Sequence, residues 1–527
     1  MLNSATIKSI QDIMRKDVGV DGDAQRIGQL TWMLFLKIYD DREQEWEISQ
    51  KRYKSAIPEE LRWRNWAADA EGLTGEPLLE FVNNRLFRNL KSISPDDGPR
   101  FKLIHDVFED AYQYMKSGTL LRQVINKINE SLDFNKSDDR IALGDVYEQI
   151  LKDLQSAGNA GEYYTPRAVT QFMVDMVNPQ LGETVLDPAC GTGGFLTCTI
   201  EHLRKQAKTA DDEALLQKSV RGVEKKPLPH LLCVTNMLLH GIDTPTNVRH
   251  DNTLARPLRD YGPKDRVDCI VTNPPFGGME EDGIEDNFPS TFRTRETADL
   301  FLVLILNLLK PGGRAAIVLP DGTLFGEGVK TKIKEKLLTE CNLHTIVRLP
   351  NGVFSPYTGI KTNLLFFTKG EPTKTVWFYE HPYPAGAKSY NKTKPIRIEE
   401  FDAEKGWWFG ETPKKKSKSK ASRAPSGPGQ GPSNEPDPGA DATRLATTMC
   451  GGDLLRRVES PQAWKVPFEQ IQANGYNLDI KNPHDSTVAH TDPDELLADY
   501  QKLMADLQQT RDKLKDELFH ALGGQAQ

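Results

Sequence analysis

The pattern of apolar and polar positions changes character along the chain. Up to about residue 140, apolar residues recur at helical spacing. Ile27, Leu30, Leu34, Leu36 and Ile38 lie among good helix formers, with Trp32 and Phe35 beside them, and stretches 78–82, 104–108 and 120–125 repeat the pattern. Few β-branched alternations interrupt it, so an all-helical region over 1–140 is predicted. From 141 to 412 the pattern becomes short apolar runs alternating with helical ones. Strands are predicted at 185–186, 219–224, 246–252, 267–272, 314–320, 344–349 and 362–367, with helices at 168–177 and 297–309. Such alternation predicts an α/β class with a doubly wound, mostly parallel sheet. Residues 413–442 are rich in Lys, Ser, Pro and Gly and cannot bury enough apolar surface to order themselves. They read as a flexible linker, or alternatively as a basic segment touching nucleic-acid phosphates. The remainder, 443–527, is predicted to be a helical tail. Leu496, Tyr500, Leu503 and Leu507 are spaced 4, 3 and 4, and Leu514 follows seven later, a coiled-coil-like seam. That seam could pack on its own domain or bind a partner.

Candidate chemistry gathers at the strand ends. Asn273-Pro274-Pro275-Phe276 follows the apolar run 267–272. Two prolines end a strand, because they donate no backbone hydrogen bond and hold φ near −65°. The Asn amide and the Phe ring are therefore placed at the carboxyl end of a strand, the edge where open parallel sheets bind ligands. An amide, two preset carbonyls and an aromatic face suit a flat ring carrying an exocyclic amine, although the tetrapeptide alone could be a strand-ending turn. Upstream, Asp187-Pro188-Ala189-Cys190-Gly191-Thr192-Gly193-Gly194 reads as strand, tight turn and helix start, with glycines letting the backbone approach a ligand closely. It is not the dinucleotide fingerprint, because position 196 is Leu, and Asp187 would repel a pyrophosphate. Asp187 suits a ligand bearing an ammonium or sulfonium instead. Glu224, ending the second strand, suits ribose hydroxyls, and Asp251, at the exit of the third, suits a purine edge. Lone carboxylates at strand ends are often loop caps, but three in sheet order ahead of Asn273 argue for one pocket. Glu162-Tyr163-Tyr164-Thr165-Pro166-Arg167 precedes the helix at 168–177. Thr165 is predicted to cap that helix, with Pro166 at its first position, and the two tyrosines could wall a ligand pocket.

Bulk composition narrows the function classes. With 527 residues the chain has room for two to four domains, at roughly 100–200 residues each. A net charge of −8 excludes a uniformly basic nucleic-acid binder but leaves room for a local basic groove. The six cysteines, at 190, 198, 233, 269, 341 and 450, form no Cys-x-x-Cys pair and have no His at ligand spacing. Reduced thiols in a cytoplasmic protein without a metal site are expected. No apolar run reaches the ~18 residues of a membrane span, and no signal peptide is evident. The phosphate loop Gly-x-x-x-x-Gly-Lys-Ser/Thr is absent from the sequence, so ATP hydrolysis by this chain is not expected.

Taken together, the glycine turn from Asp187 to Gly193 and the tetrapeptide Asn273–Phe276 resemble the cofactor and catalytic motifs of S-adenosylmethionine-dependent amino-methyltransferases. The wider arrangement resembles one family, the modification (methylation) subunit, HsdM, of type I restriction–modification systems. The helical N-terminal region, Glu162–Arg167 ahead of the glycine turn, and Asn474-Gly475-Tyr476-Asn477-Leu478-Asp479-Ile480 near the end all carry that likeness. The insert at 413–442 departs from it. The resemblance implies a Rossmann-like methyltransferase core at 141–412, an N-terminal helical domain at 1–140, and a tail at 443–527 for partner contact. It implies that Glu162, Tyr163, Tyr164, Thr165, Pro166, Arg167, Thr192, Gly193, Gly194 and Glu224 line the S-adenosylmethionine site, together with Asp187, Gly191 and Asp251. Asn273, Pro274, Pro275 and Phe276 would act on N6 of an adenine flipped from double-stranded DNA. Implied partners are a specificity subunit (HsdS) shared by two methylation subunits, and a restriction/translocase subunit (HsdR). No metal and no membrane are implied. Two other readings compete: a stand-alone methyltransferase of protein glutamine or RNA, and a DNA-binding assembly subunit with a relic cofactor fold. The helical N-terminal region argues against the first, and the intact site residues against the second.

Overall fold

The computed structural model describes residues 4–131, 165–276, 278–355, 358–384, 386–391, 393–410 and 456–484, and in the tail 501, 504–505 and 507–515. Nine strands make one sheet: β1 (Val185–Asp187), β2 (Val220–Glu224), β3 (Val248–His250), β4 (Val267–Thr272), β5 (Leu309–Pro320), β6 (Cys341–Arg348), β7 (Thr362–Lys369), β8 (Thr375–Glu380) and β9 (Ala463–Pro467). Their order is β3-β2-β1-β4-β5-β7-β6-β8-β9. The pairs β1–β2, β2–β3, β1–β4, β4–β5 and β6–β8 are parallel. The central strand β4 carries an unbroken apolar run, Cys269-Ile270-Val271, at 0% exposure, as expected where helices cover both faces of a parallel sheet. The chain leaves β1 toward β2 on one side and later places β4 on the other, so the order reverses between β1 and β4. That switch point opens a crevice at the carboxyl ends of the two strands.

The sheet departs from the parallel expectation at two places. β7 is antiparallel to both β5 and β6. Among the described residues no helix intervenes between β6 and β7, and strands joined without a covering crossover pair antiparallel. β9 is antiparallel to β8, which corrects the expectation that everything from 443 onward is a helical tail. Ala463, Trp464 and Val466 are buried while Lys465 and Pro467 are exposed, and Trp464 stacks on Phe378 at 5.4 Å. The Lys and Pro suit an edge strand, where they discourage further pairing. The following segment also docks on the core. The Leu478 amide donates to the Leu324 carbonyl at 3.1 Å, and Arg348 pairs with Asp479.

Among described residues, 4–131 is helical, led by the Asp23–Ser49 helix. Its buried residues share one apolar cluster with the Pro227–Leu239 helix of the sheet region, and Arg42 pairs with Asp243. Residues Met1–Ile480 form one unit and Lys481–Gln527 a second. In the second, 507–515 is helical, with Leu507 and Leu514 exposed; Leu496, Tyr500 and Leu503 lie outside the described residues. No helix among the described residues is long and apolar enough to cross a membrane.

Candidate active site

β1 delivers Asp187 to the crevice, and the chain turns at once into the Gly194–Arg204 helix. The turn needs left-handed backbone at Gly191 (φ +53°) and Gly193 (φ +87°), a region glycine enters without steric penalty. The two differ in surroundings. A Cβ at Gly193 would sit 2.8 Å from the Cys233 Sγ, whereas one at Gly191 would meet nothing within 4 Å. Gly193 is packing-limited, and Gly191 borders open space. Asn236, on the Pro227–Leu239 helix, donates from Nδ2 to the Thr192 carbonyl at 3.1 Å and holds the turn from behind. Sequence reasoning missed this residue, although a lone Asn inside the apolar run 231–239 was an available signal.

The carboxylates serve the same turn. Asp187 is 1% exposed; its Oδ1 accepts from Thr272 Oγ1 at 2.6 Å and from the Ala189 amide at 3.1 Å. Burial pushes its carboxyl up to about 7, with the nearby Glu224 adding to the rise and the two hydrogen bonds opposing it. Glu224 accepts the Gly191 amide on Oε2 at 2.9 Å and the Lys226 amide on Oε1 at 2.8 Å. Asp251 follows β3 directly; its side chain is exposed and its amide donates to the Glu224 carbonyl at 3.0 Å.

On the other side of the switch point β4 ends at Thr272, and Asn273 follows it directly. Its Nδ2 donates to Thr165 Oγ1 at 2.8 Å, 108 positions away in sequence. Its Oδ1 is buried and has no hydrogen-bond partner among the described residues. An unpaired buried amide oxygen costs about 1–3 kcal/mol, so an arriving donor would be rewarded there. This contact also revises Thr165. The helix runs Arg167–Val177 with Pro166 at its cap and no side-chain cap bond, so Thr165 meets Asn273 instead of capping. Arg167 lies along the neighbouring helix, donating to Thr197 Oγ1 at 3.1 Å and to Glu201 at 2.6 Å. Glu162, Tyr163 and Tyr164 lie outside the described residues.

Pro274 is buried and Pro275 exposed. The Phe276 residue is 4% exposed, and its ring packs edge-on against Phe354 at 5.8 Å. This packing keeps the ring's large apolar area out of water. After the tetrapeptide, Thr297 closes the loop by donating to the Gly278 carbonyl at 2.9 Å. Lys225, next to Glu224, reaches Glu281 of that loop at 2.9 Å. This pair is exposed and contributes at most about 1 kcal/mol. Among the described residues no group of three or more His, Cys, Asp or Glu could hold a metal ion.

Comparison with known proteins adds the following. The N-6 DNA Methylase family model matches residues 138–492, and the HsdM N-terminal domain model matches 3–128. The chain is 58% identical over 524 residues to the type I restriction enzyme EcoEI methylase subunit of Escherichia coli, covering 99% of this chain and 98% of that one. It is 31% identical over 397 residues to the EcoKI methylase subunit of E. coli strain K12, covering 71% and 70%. Among solved structures, a modification subunit assigned to a type I restriction enzyme from Vibrio vulnificus YJ016 superposes with TM-score 0.77 at 42% identity, covering 92% of this chain and 98% of that one. A chain from a structure on complex assembly of the type I R-M system gives 0.75 at 35% identity, covering 98% and 99%.

Proposed function

The chain belongs to the methylase subunits of type I restriction enzymes, and from that premise we propose that Asn273 to Phe276 grip the adenine while the Asp187–Gly194 turn and Glu224 hold the cofactor. The reaction is methyl transfer to N6 of adenine in DNA. What supports the assignment of residues most directly is the buried, partnerless Asn273 Oδ1 at the end of β4, beside the strand that carries the glycine turn.

S-adenosylmethionine, when bound, supplies an electrophilic methyl on a sulfonium. The site fits such a group: Gly191 borders open space, Asp187 offers a carboxyl to a cationic end, and Glu224, bonded to the Gly191 amide, is the acid at the end of β2 where ribose hydroxyls are taken. Asn273 Oδ1 accepts one N–H of the adenine amine, and the Pro274 carbonyl accepts the other. These bonds draw the nitrogen lone pair out of ring conjugation and orient it for in-line attack. Catalysis then comes from positioning and preorganised dipoles, with no enzyme nucleophile. A base in a duplex must first be flipped out, at a cost of about a few kcal/mol. Phe276 stacks on it once its ring is uncovered from Phe354. Sequence choice belongs to a specificity subunit (HsdS) clasped by two methylation subunits, with a restriction/translocase subunit (HsdR) joining. The tail beyond Ile480 contributes to that assembly, and the complex works in the cytoplasm.

The test is labelled methyl transfer by the chain with and without its specificity subunit, onto DNA, RNA and protein. N6-methyladenine in DNA, dependent on the specificity subunit, is expected; strong labelling of protein or RNA alone would overturn the reading.

Asp187 gives a pH prediction. Its carboxyl titrates at about 7 in the unliganded fold, and a cationic ligand requires it ionised. Cofactor affinity therefore rises with pH and levels off above about 7; below that, the dissociation constant grows by up to about tenfold per pH unit. For the unliganded fold the sign is opposite. A carboxyl raised on folding stabilises the fold below its unfolded value, and that contribution is lost as pH rises to about 7. Calorimetry of S-adenosylmethionine binding between pH 6 and 8 should show this slope in the wild type and none in Asp187→Asn. An equal slope in the variant would remove Asp187 from the site.

A further inference from the structure

The geometry points to Thr165 as a positioning residue for the catalytic amide: its hydroxyl accepts from Nδ2 and holds the Asn273 side chain with Oδ1 left for the adenine amine. This rests on the reading of Asn273 given above and goes beyond it, because the loop that carries Thr165 was otherwise assigned only to the cofactor.

The two ends of an Asn amide are nearly equal in size and differ only in hydrogen bonding. A half-turn about the terminal torsion exchanges them, and that torsion is soft. For Asn273 the exchange decides activity: Oδ1 toward the substrate accepts an N–H from the amine, whereas Nδ2 there would meet another donor. In the structure Nδ2 is held by Thr165 Oγ1 at 2.8 Å, and Oδ1 is left buried and unpartnered. Thr165 is the described residue that bonds this amide through its side chain. Its mounting is stiff. Pro166 follows it and restricts its backbone to extended conformations. The Arg167–Val177 helix begins immediately after, anchored by Arg167 on Glu201 at 2.6 Å and by Val169 and Phe172, both fully buried in the cluster that also contains Phe276. A hydroxyl fixed on a rigid helix start can hold an amide plane to the few tenths of an ångström that in-line transfer demands.

The test compares the complex with its specificity subunit carrying wild-type chain, Thr165→Val and Thr165→Ser, in steady-state methylation of DNA, with S-adenosylmethionine binding by calorimetry. Valine matches threonine in shape but replaces the acceptor by a methyl, so kcat is expected to fall roughly tenfold or more. The dissociation constant for S-adenosylmethionine and the KM for DNA should stay within about twofold, because the groups that contact them remain. Serine keeps the hydroxyl and should restore most of kcat. Thermal unfolding of both variants verifies that the fold is intact. Wild-type kcat in Thr165→Val overturns the inference. So does a loss of cofactor affinity that accounts for the whole loss of activity, which would make Thr165 a cofactor contact. A wild-type complex that leaves DNA adenine unmethylated overturns both this inference and the functional reading beneath it. A methylating wild type with an indifferent Thr165→Val overturns the inference alone.

Discussion

Asn273→Ala is expected to lower the methylation rate by about 10²–10³-fold, the size of effect seen when one preorganised hydrogen-bonding group at a reacting centre is removed. Cofactor binding should change by less than about threefold. The reason is geometric. Asn273 directly follows β4 and its bonded partner is Thr165, whereas the glycine turn is held by Glu224 and Asn236 from β2 and the Pro227–Leu239 helix. Removing the amide therefore leaves the turn's own support in place. Single-turnover methyl transfer with saturating S-adenosylmethionine, beside calorimetric binding of the same cofactor, separates the two effects. A variant that loses binding and rate in parallel would contradict the division of labour proposed here.

The second large effect falls on the turn itself. Gly193→Ala carries two costs. An L-residue at φ +87° is strained by about 1–2 kcal/mol, and its Cβ would stand 2.8 Å from the buried Cys233 Sγ, which adds roughly 1–3 kcal/mol of overpacking. The sum, about 2–5 kcal/mol, corresponds to a loss on the order of 30-fold or more in the population of the native turn. Gly193→Ala should thus show both a lowered Tm and a cofactor affinity reduced by that order. Gly191→Ala pays only the backbone term, since its Cβ meets nothing within 4 Å. It should lose cofactor affinity with a much smaller change in Tm, its methyl entering the space a ligand would fill. Equal Tm losses in the two variants would refute this contrast.

Much of the architecture was legible because its signals are local. Val267–Thr272 is an apolar run closed by two prolines, and the structure ends β4 there. The strand–glycine–helix unit at Asp187 and the strands leading to Glu224 and Asp251 follow the same logic. The failures share one cause as well. Thr165 has the composition of a cap, and a local reading assigns it one; its hydroxyl instead meets a residue 108 positions later. The contact of Phe276 with Phe354, from the β6–β7 connection, likewise has no local signal. The segment from Ala463 to Pro467 is five residues long, too short for its alternation to stand out locally, yet it completes the sheet beside β8.

By itself, then, the sequence determined the helical N-terminal region, the α/β class, the position of Asn273 at a strand exit and the left-handed glycines of the turn. Each depends on backbone preferences and burial periodicity within a few residues. Only the tertiary structure decided the strand order that sets β1 beside β4, the antiparallel insertion of β7, the clamp of Asn236 on Thr192 and the pairing of Thr165 with Asn273. These join residues far apart in the chain, and such contacts are selected by how whole elements pack, because burial rewards any good fit while leaving no mark on the neighbours in sequence. The amide that the chain presents at β4 is chemically ready from its sequence, and its direction is set by a hydroxyl that folding brings to it.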